Sequence, residues 1–232
     1  MERIRVAIVA LVTGVVLVLG ACGGSEPDVT QLSAGSSADD RAAAGRMLLT
    51  AADMSGFEAA TVPEPDVTTV DQQAASSFEA CAGATAALDD DSIAQSPAFF
   101  RGRTAMVSSL AVVAPSHAAA AEVMADLGRA DLGGCLTALF RSVLGLDLLP
   151  GTTATTDLLP ASAVRSADSA TTWRTSLHVA VSGQSVPAYA DLTFLRSGRA
   201  VGVVFAFEIG KPFALDERTR LAEKVAERLD RI

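Results

Sequence analysis

Aromatic residues make up only 5% of this 232-residue chain, with one Trp and one Tyr. Histidine is limited to His117 and His178, lysine to Lys211 and Lys224, cysteine to three positions, and asparagine is missing. Each scarcity excludes something. Two histidines 61 positions apart give no metal-ligand spacing, so no metal site and no cofactor are expected. Basic residues are outnumbered, 18 against 27 acidic, giving a net charge of −9 and a pI near 4.7. That balance offers no positive footprint for phosphates, so nucleic acid is excluded as a partner. Charged residues amount to 19% against 50% hydrophobic, too apolar a mixture for a disordered chain. The length suits one domain with an appendage.

Catalytic signatures are also missing. There is no GxSxG elbow, GxxxxGK loop, HExxH or GxGxxG, and no catalytic residue is assigned. Asp89-Asp90-Asp91 carries hard oxygen ligands of the kind Ca²⁺ takes. Three consecutive Asp cannot all face one ion from a regular backbone, however, so the run reads as a solvated helix end. The protein is therefore expected not to be an enzyme.

What is present begins at the N-terminus. Arg3 and Arg5 precede Val6–Leu19, which is apolar apart from Thr13 and Gly14. This run is short of the roughly 20 residues that a spanning helix needs. Leu19-Gly20-Ala21-Cys22 then closes it with small residues and a thiol, the pattern of a secretory signal. These four residues resemble a bacterial lipobox, in which the Cys is acylated and the chain is cut just before it. Residues 1–21 thus read as a signal peptide, with the mature chain held in the lipid bilayer through acylated Cys22. Two acyl chains suffice for stable anchoring. The expected address is the extracytoplasmic face of the cell membrane. Residues 22–38, rich in Gly, Ser and acids, read as a tether spanning roughly 20–25 Å.

With Cys22 lipidated, Cys81 and Cys135 remain in an oxidising compartment and are expected to pair. The loop so closed, of about 55 residues, would stabilise the fold by about 4 kcal/mol on the chain-entropy model. A free reactive thiol is the rival reading, but neither Cys lies in a CxxC or beside a basic residue.

Periodicity then predicts one domain over 39–232. Asp39–Thr50 reads as a helix entered through Asp39 or Asp40. Thr50-Ala51-Ala52-Asp53 has capping-box spacing and starts a short turn ending by Gly56. A helix opened by Ser76-Ser77-Phe78-Glu79 carries Cys81. Ala105–Ala114 is a strand apolar on both parities, and Ser116 caps a helix from His117 to Leu127 with Ala120, Val123, Met124 and Leu127 as its buried stripe. Asp131 is expected to cap the helix of Cys135, and Asp216 the last helix, whose stripe is Leu221, Val225, Leu229 and Ile232. Strands are predicted over Thr152–Leu159, around Trp173–Val181, and over Val186–Leu195 and Ala200–Ile209, the last two joined by a hairpin turn. The sum is α+β: a mainly antiparallel sheet packed against several helices in a single domain.

Three stretches carry a resemblance. They are Leu48-Leu49-Thr50-Ala51-Ala52-Asp53-Met54-Ser55-Gly56-Phe57, the Cys81/Cys135 pair, and Val186-Pro187-Ala188-Tyr189-Ala190-Asp191-Leu192-Thr193-Phe194 with Gly198-Arg199. Together they resemble actinobacterial cell-envelope lipoproteins and, more loosely, the extracellular sensor domain of membrane serine/threonine kinases of those bacteria. The resemblance implies an α+β fold with a cleft for a small or lipidic ligand. That sensor domain has two disulfides, whereas this chain can form one.

Arg174, His178, Tyr189 and Asp191 fall on matching strand parities. They are the candidate ligand contacts, lining one sheet face to hold a polar headgroup, with a structural ion pair as the plainer alternative. Phe99, Phe100, Met106, Phe194, Phe205 and Phe207 are candidates for an apolar pocket, or simply for core. The expected function is non-enzymatic binding of a small or apolar, lipid-like ligand at the cell envelope. The alternative is a sensory or protein-interaction module.

Overall fold

The computed structural model describes residues 36–60, 93–143, 146, 151–160, 164–181 and 184–230. The expected signal peptide, Cys22, the helix of Cys81 and Asp89–Asp91 lie outside these residues. The architecture is α+β, as the sequence predicts. Its helices are α1 (Ser36–Met47), α2 (His117–Leu127), α3 (Leu132–Val143) and α4 (Leu215–Leu229). Its strands are β1 (Glu58–Ala59), β2 (Ala94–Gln95), β3 (Phe99–Arg101), β4 (Ala105–Val113), β5 (Thr153–Leu158), β6 (Ser169–Val181), β7 (Gln184–Ser197) and β8 (Ala200–Ile209). They form one eight-stranded antiparallel sheet in the order β1-β3-β4-β8-β7-β6-β5, with β2 also paired to β4. Among the described residues, no helix is long and apolar enough to cross a membrane.

Helices cover both faces of the sheet, which explains the double parity of its central strands. All nine residues of β4 and nine of the ten in β8 are buried. On one face, α2 and α3 pack against β5, β6 and β7. Phe140, Leu136 and Val123 meet Trp173, Leu192, Phe205 and Phe207 in that core. On the other face, α1 lies over β4, and α4 over β7 and β8. There Met47, Leu221 and Val225 meet Val107, Leu195 and Val204. Each such large apolar side chain contributes about 1.5–3 kcal/mol on burial.

Local rules account for several element boundaries. Ser116 Oγ accepts the Ala119 N–H at 3.1 Å, an N-cap, and the four stripe residues of α2 are all buried. The α2 C-terminus is tied down by Trp173, whose indole Nε1–H donates to the Leu127 carbonyl at 2.8 Å. Asp53 Oδ2 accepts from both the backbone N–H and the hydroxyl of Thr50, at 2.8 and 2.9 Å, and a 3₁₀ turn follows over Ala51–Asp53. The β7–β8 hairpin turns at Gly198 and Arg199.

Other boundaries differ from expectation. Helix α1 starts at Ser36 and so takes in three residues assigned to the tether. Asp131 directly precedes α3, as expected, and Arg129 holds its carboxylate through Nε at 3.1 Å and through Nη2. The N-cap of α4 is Ala214, with Asp216 already in the first turn. The short strands β1, β2 and β3 are additions, too brief to show a period.

Candidate functional site

Antiparallel register brings the four candidate contacts to one face. Arg174 pairs with Asp191, Ser176 with Tyr189, and His178 with Pro187 across β6 and β7. Because Trp173 and Leu177 point into the core with α2 and α3, the alternate residues Arg174 and His178 take the opposite face, the one carrying α4. Arg174 donates to Asp191 through Nε to Oδ1 at 2.6 Å and through Nη2 to Oδ2 at 2.7 Å. This is a bidentate pair, the strong geometry for a guanidinium and a carboxylate.

A third partner comes from α4. Arg218 donates from Nη1 to Asp191 Oδ2 at 2.9 Å, with Asp191 only 1% and Arg218 only 5% exposed. Two guanidiniums therefore share one carboxylate. Arg218 was missed as a functional residue, although a signal for it exists. It lies three residues before Leu221 on the stripe continued by Val225 and Leu229, and a charged residue in a buried stripe needs a partner. The hydrogen bond that Arg174 donates to Asp191 raises the Arg174 pKa further; burial opposes this, and the charges of Asp191 and Tyr189 reinforce it.

Helix α4 is seated by close approach and by ion pairs. Gly202 on β8 lies under it, where an added Cβ would stand 3.0 Å from Val225 Cγ1 and 3.3 Å from Leu229 Cδ1. At the first turn, Arg101 Nη1 donates to both Glu217 carboxylate oxygens at 3.0 Å. The same guanidinium lies over Phe57 and Phe213, 4.7 and 5.6 Å from the ring centroids. Further along, Glu223 accepts the backbone N–H groups of Arg165 at 2.6 Å and Ser166 at 3.2 Å. Burial pushes the Glu223 pKa up, but these donors outweigh it and the net shift is downward.

Since α4 lies over β7 and β8, a step is left between it and the outer strands. In that step opens a half-open cleft of about 850 Å³. Leu159, Pro160, Pro212, Phe213 and Leu215 supply its apolar wall, while Arg174, Arg218, Arg220, Asp216 and Glu223 bring charge. Leu215 is 59% exposed, one of the two large apolar side chains so exposed among the described residues. The other, Leu158, adjoins the cleft residue Leu159.

Of the four candidate contacts, Arg174 alone lines this cleft. Asp191 is buried and paired with Arg174 and Arg218, Tyr189 is half-buried opposite Glu208, and His178 is exposed further along β6. The structure thus shows the ion pair that was the plainer alternative, with a cleft on its Arg174 side. The six residues proposed for an apolar pocket do not line it. Met106, Phe194, Phe205 and Phe207 are packed between the sheet and α2 and α3, with Phe100 against the same core. Phe99 is buried in the core of the other face.

Among the described residues, no group of three or more His, Cys, Asp or Glu could hold a metal ion. His117 opens α2 on one face of the sheet, while His178 projects on the other. Cys135 is buried on α3 and disulfide-bonded, its partner lying outside the described residues. Comparison with protein-family models, with curated proteins and with solved structures finds no match.

Proposed function

We propose that the protein is a lipid-anchored, extracytoplasmic binding protein, non-enzymatic, that holds a small apolar or lipid-like ligand in the cleft beside α4. The observation that carries this reading is the cleft itself. A volume of about 850 Å³ suits a ligand of a few tens of atoms, and its walls combine an apolar lining with a few convergent polar groups. The exposure of Leu215 at its border leaves apolar surface for a ligand to cover. The lipobox-like Leu19-Gly20-Ala21-Cys22 supports the address, and the tether allows the domain to stand off an anionic bilayer that its own acidity would repel.

Native mass spectrometry with lipid extraction, on protein purified from its own host, tests the proposal. The expected result is a reproducible co-purifying molecule that is lost from a Leu215→Asp variant of unchanged fold. Protein that carries nothing overturns the proposal and favours a sensory or protein-interaction module.

A further inference from the structure

The charge balance inside the cleft wall specifies the ligand more closely. Arg174 and Arg218 bring two positive charges to Asp191, which answers one. Neither guanidinium can relieve the imbalance by losing a proton. A buried charge that lacks a partner costs several kcal/mol, so such an excess favours a compensating anion.

Hydrogen-bonding capacity gives the same answer independently. Arg218 Nε is buried and has no hydrogen-bond partner among the described residues. Arg218 Nη2 and Arg174 Nη1 also make no hydrogen bond with a described residue. Three donor groups therefore remain on two side chains that both line the cleft. The carboxylates nearby do not answer them. Glu223 is engaged by the N–H groups of Arg165 and Ser166, buried Glu208 on the same sheet face pairs with Arg101 and Lys211, Asp216 is exposed in the first turn of α4, and Asp157, opposite Arg174 in register, is exposed on the edge strand. Next to the unused donors lies the apolar wall of Leu159, Pro160, Phe213 and Leu215.

We propose that the cleft recognises a monoanionic amphiphile, a carboxylate or phosphodiester on an apolar chain, with Arg174 and Arg218 binding the anionic end. This rests on the ligand-binding function proposed above and adds the class of ligand. Within the triad of Arg174, Arg218 and Asp191 one positive charge is left over, which matches a single negative charge on the ligand. Asp216 and Glu223 outnumber Arg220 around the rest of the cleft, which disfavours more highly charged anions.

The test is calorimetric titration of the full chain in a nonionic detergent, corrected for partition into protein-free micelles. The probes are decanoate, the diester decyl methyl phosphate, decanol and acetate. Decanoate or the diester should bind at least about 10-fold more tightly than decanol, the scale of a hydrogen bond to a charged group. Whichever anion binds more tightly identifies the headgroup chemistry. Arg174→Met should bring decanoate and decanol to similar affinities, while circular dichroism verifies the fold. The comparison on the unsubstituted chain needs no variant to fold. Binding of both anions no tighter than that of decanol overturns the anion proposal but leaves the apolar-ligand reading standing. Acetate binding as tightly as decanoate keeps the anion site and overturns the amphiphile. Binding of none of the four overturns both.

Discussion

Asp191 on β7 and Arg218 on α4 meet at 2.9 Å, although Arg174 already takes both oxygens of that carboxylate. Their removal should therefore have unequal effects. Asp191→Ala leaves two guanidiniums facing each other without an anion and should cost about 3–5 kcal/mol. Arg218→Met leaves Asp191 bidentate with Arg174 and removes one charge-assisted hydrogen bond, a cost of about 1.5–3 kcal/mol. Urea unfolding of the two variants should place Asp191→Ala at the lower midpoint. The opposite order would mean that α4, rather than the carboxylate, governs the triad.

Asp53 ties the 3₁₀ turn to α4, accepting from Arg228 Nη2 at 2.8 Å on each oxygen. Burial raises its pKa, but hydrogen bonds from Arg228 and Thr50, with the Arg228 charge, outweigh this and hold it below the usual carboxylate value. The sign follows from linkage. A carboxyl whose folded-state pKa is depressed adds stability that is complete above its unfolded pKa of about 4, and that is lost as pH falls through the folded value. Asp53→Asn should accordingly lose less stability than the parent between pH 6 and pH 3, measured as the shift in urea midpoint. Equal losses would remove Asp53 from the acid sensitivity of the fold, leaving groups such as Glu223, whose depression has the same sign.

The sequence was most legible where a single helix or hairpin carries its own rules. Ser116 with its stripe and the turn at Gly198 and Arg199 need only neighbouring residues to specify them. The start of α3 directly after Asp131 was legible as well, whereas the pairing of its carboxylate with Arg129 was not. The parity of Arg174 and Asp191 placed them on one face, yet periodicity could not show that a helix from the chain's end would bring Arg218 onto them. The cleft was less legible still. It joins Leu159 and Pro160, just past an edge strand, to a helix more than fifty residues later, and no local pattern encodes that meeting. The aromatic residues were no guide to the cleft because apolar side chains mark core and pocket alike. With helices on both faces of the sheet, core took nearly all of them.

Two adjacent glycines in α3 offer a matched pair. An added Cβ at Gly133 would stand 3.0 Å from Trp173 Cζ3 and 3.1 Å from the Thr156 carbonyl oxygen, a backbone atom that cannot swing aside. At Gly134 it would meet nothing within 4 Å. Gly133→Ala should destabilise by about 1–3 kcal/mol through overpacking. Gly134→Ala should stabilise by about 0.5–1 kcal/mol, since Ala is the better helix former. Trp173 is the chain's sole Trp, so its fluorescence reports both unfolding transitions and the packing that Gly133 protects. Equal stability of the two variants would show that α3 is free to move off the sheet.

The bond at Cys135 bears on the membrane anchor as well as on stability. The chain has only Cys22 and Cys81 to pair with it, and a thioether at Cys22 leaves no thiol for a disulfide. The lipid-anchor reading therefore requires Cys81 as the partner. Non-reducing peptide mapping of membrane-extracted protein should link the Cys81 and Cys135 peptides, with an acylated N-terminal Cys22 peptide in the same digest. Cys22→Ser should leave that link intact while abolishing processing or membrane retention. Reduction should cost the fold about 4 kcal/mol, the figure for a closed loop of about 55 residues. A Cys22–Cys135 link in the extracted protein would sink the anchor, because one sulfur cannot hold both bonds.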